Sequence, residues 1–147
     1  MKSIMQIYQK VLFLLLPMLF IFKSSAAQEL SDYRWENRIL LIMDAEKDIP
    51  SRQKQINLLK REQVELTERD LLVFVFTGDS LLTSEGKPVK MKLKDIPEKS
   101  YQGVILIGKD GGEKYRKEFP VDPKLIFERI DVMPMRRAEI RAGGKPH

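Results

Sequence analysis

Three short, unbroken apolar runs limit the folds open to this chain more than any other feature: Arg38–Met43, Leu71–Phe76 and Gly103–Ile107. Each is shorter than a buried helix needs to be, and none shows the polar alternation of a strand wetted on one side. Such runs fit strands buried on both faces, in a sheet covered by other elements. The chain therefore reads as a layered α/β domain with a central sheet.

The segments between the runs supply the connections. After the loop Asp44–Ile49, Pro50 and Ser51 offer a helix start, and the polar stretch to Arg69 places Ile56, Leu59, Gln63 and Leu66 on one face at helical spacing. This predicts a single amphipathic helix joining the first two strands. Residues 77–99, punctuated by Gly78, Gly86, Pro88 and Pro97, fit two readings. Val89–Leu93 alternates like an edge strand, and a short helix through the same residues fits as well. Asp110-Gly111 between two strand-like runs predicts a hairpin turning at Gly108–Gly112 into Glu113–Arg116. Asp122-Pro123 then supplies an N-cap and a proline at the first helical position. Leu125, Ile126 and Ile130 give that closing helix an apolar side, and Pro134 is expected to end it.

The N-terminus carries Lys2 and Lys10, an apolar run Val11–Phe22, and the small residues Ser24–Ala27. That pattern predicts a secretory signal over residues 1–27, cleaved after Ala27, with an uncleaved anchor as the alternative. The run is shorter than the about 20 residues of a bilayer span, and membrane contact is expected only in transit. Lys2, Lys10 and Lys23 lie in the signal and no acid does, so the formal net charge of +5 drops by three to about +2, ordinary for a small domain. Nucleic-acid binding loses its electrostatic support on that count. The remainder reads as one domain, residues 28–142, with a disordered tail at 143–147, exported to the periplasm or secreted.

The chemistry available is narrow. There is no cysteine, and the one histidine is His147. Thiol redox, thiolate nucleophiles, His-based triads and Cys/His zinc sites are thereby excluded, and no cofactor is expected. Asp44, Glu46 and Asp48 could offer oxygens to a hard cation, but Gln55 stands where an EF-hand would place its distal glutamate. The plainer reading is solvated loop charges near a helix start. Asp44 with Glu46 is also the pair around which a carboxylate- or metal-assisted hydrolase would be built. Arg136 and Arg137, flanked by Met133 and Met135, combine guanidinium forks with adaptable apolar contacts. They read as a contact surface, together with Lys109 and Asp110 at the hairpin tip. The competing reading has the methionines plugging the core edge and an arginine pairing with Asp131 or Glu139.

Strand, helix, strand, a variable connection, then a hairpin and a closing helix is the order of a thioredoxin-like sandwich, a mixed central sheet with helices on its faces. Four local motifs sharpen this: Trp35-Glu36-Asn37-Arg38, Glu68-Arg69-Asp70, Gly108-Lys109-Asp110-Gly111-Gly112, and Ile130–Arg137 containing Met133-Pro134-Met135-Arg136-Arg137. Together they resemble the P-DUDES family, a domain of unknown function in bacterial exported proteins and animal sushi-repeat extracellular proteins. The resemblance implies a thioredoxin-like fold without an established activity. Asp44-Ala45-Glu46-Lys47-Asp48 occupies the loop where a thioredoxin carries its dithiol, and no proline directly precedes Gly103, where thioredoxins place their cis-proline. The expectation is an exported, non-redox binding or interaction module whose partner is an exported or envelope protein or a small anionic ligand.

Overall fold

A computed structural model of the chain describes residues 30–89 and 96–143. The proposed signal, the tail beyond Gly143 and most of the alternating Val89–Leu93 stretch lie outside those residues. Among the described residues, no helix is long and apolar enough to cross a membrane.

The three apolar runs become β1 (Arg38–Asp44), β2 (Leu71–Phe76) and β4 (Gln102–Ile107), joined by the short strands β3 (Leu81–Thr83) and β5 (Glu113–Lys117). They form one mixed sheet in the order β3-β2-β1-β4-β5. β1 is parallel to β2, and every other pairing is antiparallel. Every residue of β1 is buried, as its unbroken apolar pattern requires of a central strand.

Alternation along β1 divides the core in two. Leu40 and Ile42 face a layer that contains Ile56, Leu59, Leu66, Ile126 and Ile130 from the helices. Ile39, Leu41 and Met43 face the opposite side, with Phe74, Phe76, Ile105 and Ile107. Helices were expected on both faces. Among the described residues, that second face is covered instead by Leu30, Tyr33, Val89, Ile96 and Tyr101, none of them in an α-helix. Apolar side chains from turns and extended segments remove the same surface from water, at about 25 cal/mol per Å².

The predicted single helix is two, α1 (Ile49–Lys60) and α2 (Gln63–Glu68). The break at Arg61–Glu62 turns Gln63 to solvent and returns Leu66 to the core. At the start of α1 the Asp48 carboxylate accepts from the Ser51 N–H. Gln55, in its middle, is fully buried and clamps the segment before the closing helix: it accepts from the Val121 N–H at 2.7 Å and donates to the Val121 carbonyl at 3.0 Å.

Two further readings change. Within the 77–99 region, Leu81–Thr83 forms an edge strand that pairs with the apolar end of β2, while four of the five residues of Val89–Leu93 lie outside the described residues. Pro134 does not merely end α3 (Pro123–Asp131); it starts a fourth helix, α4 (Pro134–Arg141), as its fixed φ and missing N–H allow at a first turn. The hairpin turns where expected, with Gly111 at φ +81° and the Asp110 carboxylate accepting from the Gly112 N–H.

Candidate functional site

The four motif segments meet at one end of the sheet. Arg38 opens β1, Arg69 and Asp70 precede β2, Lys109 follows β4, and Asp131, Arg136 and Glu139 come from the α3–α4 hairpin. Strand order explains the meeting. A parallel pair brings the starts of β1 and β2 side by side, and the antiparallel β4 brings its own end to the same place.

Glu139 sits at the centre. Its Oε1 accepts from Arg38 Nη2 and lies equally close, 3.0 Å, to Lys109 Nζ. The Lys109 ammonium also bonds Asp70 at 2.7 Å. Arg38 Nη1 donates to the Arg69 carbonyl, which leaves a guanidinium only 1% exposed with two partners. Arg69 forks onto both oxygens of Asp131, at 2.9 and 2.7 Å, reaches Glu65, and stacks over the Phe127 ring at 4.8 Å. Arg136 bonds the Glu68 carbonyl and carboxylate and faces Asp131 and Glu139.

The charges are thus held in pairs. Burial alone would raise the pKa of Glu139, but the hydrogen bonds from Arg38 and Lys109 outweigh it and hold the carboxyl below its usual range. Burial would lower the Arg69 pKa, yet its bonds to Asp131 and Glu65 raise it. Isolated buried ions are costly, and convergent charge-assisted bonds are what make four buried or nearly buried cations tolerable here.

The residues expected to form a contact surface therefore divide. Lys109 (5% exposed) and Arg136 (3% exposed) are inside and engaged, and Met133 is half-buried against the helix-side core. They cannot present themselves to a partner, because Asp70 and Glu139 already hold Lys109, and Glu68, Asp131 and Glu139 surround Arg136. Arg137, Met135 and Asp110 remain exposed, Asp110 paired with Lys114. Trp35, which opens the first of the four motifs, lies outside the expected contact set. It is 67% exposed, at φ +69°, with its backbone N–H donating to the Lys109 carbonyl at 2.7 Å. Its sequence signal is that it is the chain's only tryptophan. Val132 and Ile140 on the α3–α4 hairpin are also about half exposed.

At the opposite end of β1, Asp44 is not a loop charge. It is fully buried, with one oxygen accepting from Arg52 at 2.6 Å and the other from the Asp48 N–H and from Gln102. Glu46 and Asp48 point to solvent. Among the described residues, no group of three or more His, Cys, Asp or Glu is placed to hold a metal ion. This cluster ties the β1–α1 loop to β4 and leaves Asp44 no open lone pair directed outward.

Neither of two surface clefts contains Asp44 or Glu46. One, of about 360 Å³, lies between Leu30, Arg34, Pro97 and Gly111. The other, of about 380 Å³, lies beside the first half of β2, against α2 and the turn after β3.

No curated protein and no solved structure matches the chain. A family model does, over residues 29–139, a span that takes in every motif segment of the ion network. The chain belongs to the DUF4174 family, a domain of unknown function.

Proposed function

We propose that this chain is an exported, non-redox, thioredoxin-like domain that works as an interaction module, through the end of the sheet that carries the ion network. The observed element order and the mixed sheet support the thioredoxin-like reading, and the N-terminal pattern of Lys2, Lys10 and the apolar run Val11–Phe22, with the resemblance of the motifs to the P-DUDES family, supports export. The contact surface is Trp35, Val132, Met135, Arg137 and Ile140, in place of the buried Lys109 and Arg136.

One observation carries the proposal. At this end the cations Arg38, Arg69, Lys109 and Arg136 are buried and ion-paired, while a tryptophan and three aliphatic or thioether side chains are turned out. A bulky residue at positive φ costs about 1–3 kcal/mol, and an exposed side chain returns little of it in packing. Tryptophan is also the side chain most enriched where binding energy concentrates. The hydrolase alternative has less behind it, since Asp44 is sealed by Arg52 and Gln102 and Glu46 stands alone in solvent.

The test is site-specific photo-crosslinking in the exporting cell, with the crosslinker at position 35 or 135 and, as a control, at Ile49, which is also exposed and lies beyond the other end of β1. Adducts from 35 and 135 that are absent from 49 support the reading. The same adducts from all three positions, or none from any, refute it.

A further inference from the structure

The second cleft has a construction that goes beyond the reading above. β2 pairs with β1 along its whole length, Leu71 to Phe76, but with β3 only from Phe74 to Phe76. Among the described residues, no strand pairs with the outer side of its first half. β3 is cut short by its own sequence. After Thr83 the chain turns back, with Gly86 at φ +83°, the Gly86 N–H on the Thr83 carbonyl, and the Thr83 hydroxyl accepting from the Glu85 and Lys87 N–H groups. It returns along the far side of β3, where Leu82 bridges Pro88.

The unpaired half of β2 is directed into the cleft. Arg38 N–H donates to the Asp70 carbonyl on the β1 side, while Thr77 N–H donates to Ser80 on the β3 side. Backbone groups alternate along a strand, so Leu71 and Val73, in step with Thr77, aim their N–H and C=O groups outward. Gln63, Leu66 and Thr67 of α2 wall one side, and Thr83–Glu85 close the end. The sheet's other edge is guarded in the usual way: β5 reads Glu-Lys-Tyr-Arg-Lys, with charges at four of five positions. The open half of β2 reads Leu-Leu-Val and carries no such guard. Among the cleft's lining residues the only charged ones are Asp70, whose carboxylate is already paired with Lys109, and Glu85 in the turn that closes the end.

We propose that this notch takes an extended segment of another polypeptide, with β-branched residues at its centre and a basic end beside Glu85, added as a short strand in line with β3. Two outward-facing backbone positions set its ladder, α2 sets which side chains it tolerates, and the Glu85 carboxylate sets the sign of the end beside it. A folded sheet edge from a second copy is a poor occupant, because α2 and the Thr83–Glu85 turn stand on either side of β2 and admit only a slender chain.

The experiment titrates the full exported chain, ¹⁵N-labelled, with a pool of capped hexapeptides bearing Lys at both ends and Val, Ile or Thr between. The expected result is saturable shifts at the Leu71 and Val73 amides, with slower hydrogen exchange there. Affinity falls at least tenfold when alternate peptide nitrogens are methylated, when the Lys ends are replaced by Glu, or in Thr67→Arg, an exposed substitution that narrows the notch without touching the core. Absence of saturable shifts at Val73, or equal binding of the methylated pool, overturns the proposal. So does finding Leu71 and Val73 already protected in the free protein, or a peptide-insensitive dimer in sedimentation, since the notch is then filled by this chain itself. Crosslinking from positions 35 and 135 probes side chains that do not line the notch, so either reading can fail while the other stands.

Discussion

Glu139→Gln is the substitution whose consequences the structure defines best. It keeps the shape of the side chain and a carbonyl oxygen near Arg38, but removes the charge that Arg38 and Lys109 share at 3.0 Å. Both cations stay buried, at 1% and 5% exposure. Removing one partner of a buried pair costs about 3–5 kcal/mol when the other is left alone. Neither is left alone here, because Arg38 keeps the Arg69 carbonyl and Lys109 keeps Asp70. The expected loss is therefore about 2–3 kcal/mol, between the net value of a charged hydrogen bond and full orphaning. Urea unfolding measures it, as a lower midpoint at unchanged slope. Lys109→Met in a double-mutant cycle should recover at least about 1 kcal/mol as coupling.

The sign of the pH dependence gives a second readout. The folded pKa of Glu139 is depressed from its usual 4.5, so its contribution is fully present above that value and is lost as pH falls through the folded pKa. Wild-type stability should drop in that acidic window, and Glu139→Gln should drop less. A loss under about 0.5 kcal/mol, no coupling to Lys109, and parallel acid curves would together refute the view that this network holds the sheet end to the α3–α4 hairpin.

Two other substitutions probe separate parts of the argument. Gln55→Leu strands the buried N–H and C=O of Val121 and should cost about 2–4 kcal/mol in the same urea assay, without altering the acid curve. Trp35→Gly relieves the positive φ while surrendering little buried surface, so stability should be unchanged or rise by about 1 kcal/mol, whereas crosslinked adducts at position 135 should weaken; a loss above about 1 kcal/mol means that Trp35 is held by packing and not for contact.

The apolar runs at Arg38–Met43, Leu71–Phe76 and Gly103–Ile107 made the sheet legible because a strand buried on both faces leaves an unbroken pattern. Asp110-Gly111 and Asp122-Pro123 were legible because turn and cap chemistry is local. Pro134 was misleading for a related reason. Proline stops one helix and starts another with the same fixed φ, and only the residues that follow it distinguish the cases. The break at Arg61–Glu62 has no glycine or proline to announce it, and nothing in the structure beyond the turning of Gln63 accounts for it.

By itself, the sequence determined the class of fold and the lack of any cysteine thiol, since both follow from residue type and short-range pattern. Tertiary structure alone decided what the charged motifs are for. Arg38, Arg69, Lys109, Arg136 and Glu139 are spread over a hundred residues, and a charge in sequence gives no sign of whether water or another charge will face it. Here strand order brings them together inside, while Trp35 stays exposed. Burial is a property of what arrives from elsewhere in the chain, and no single segment encodes it.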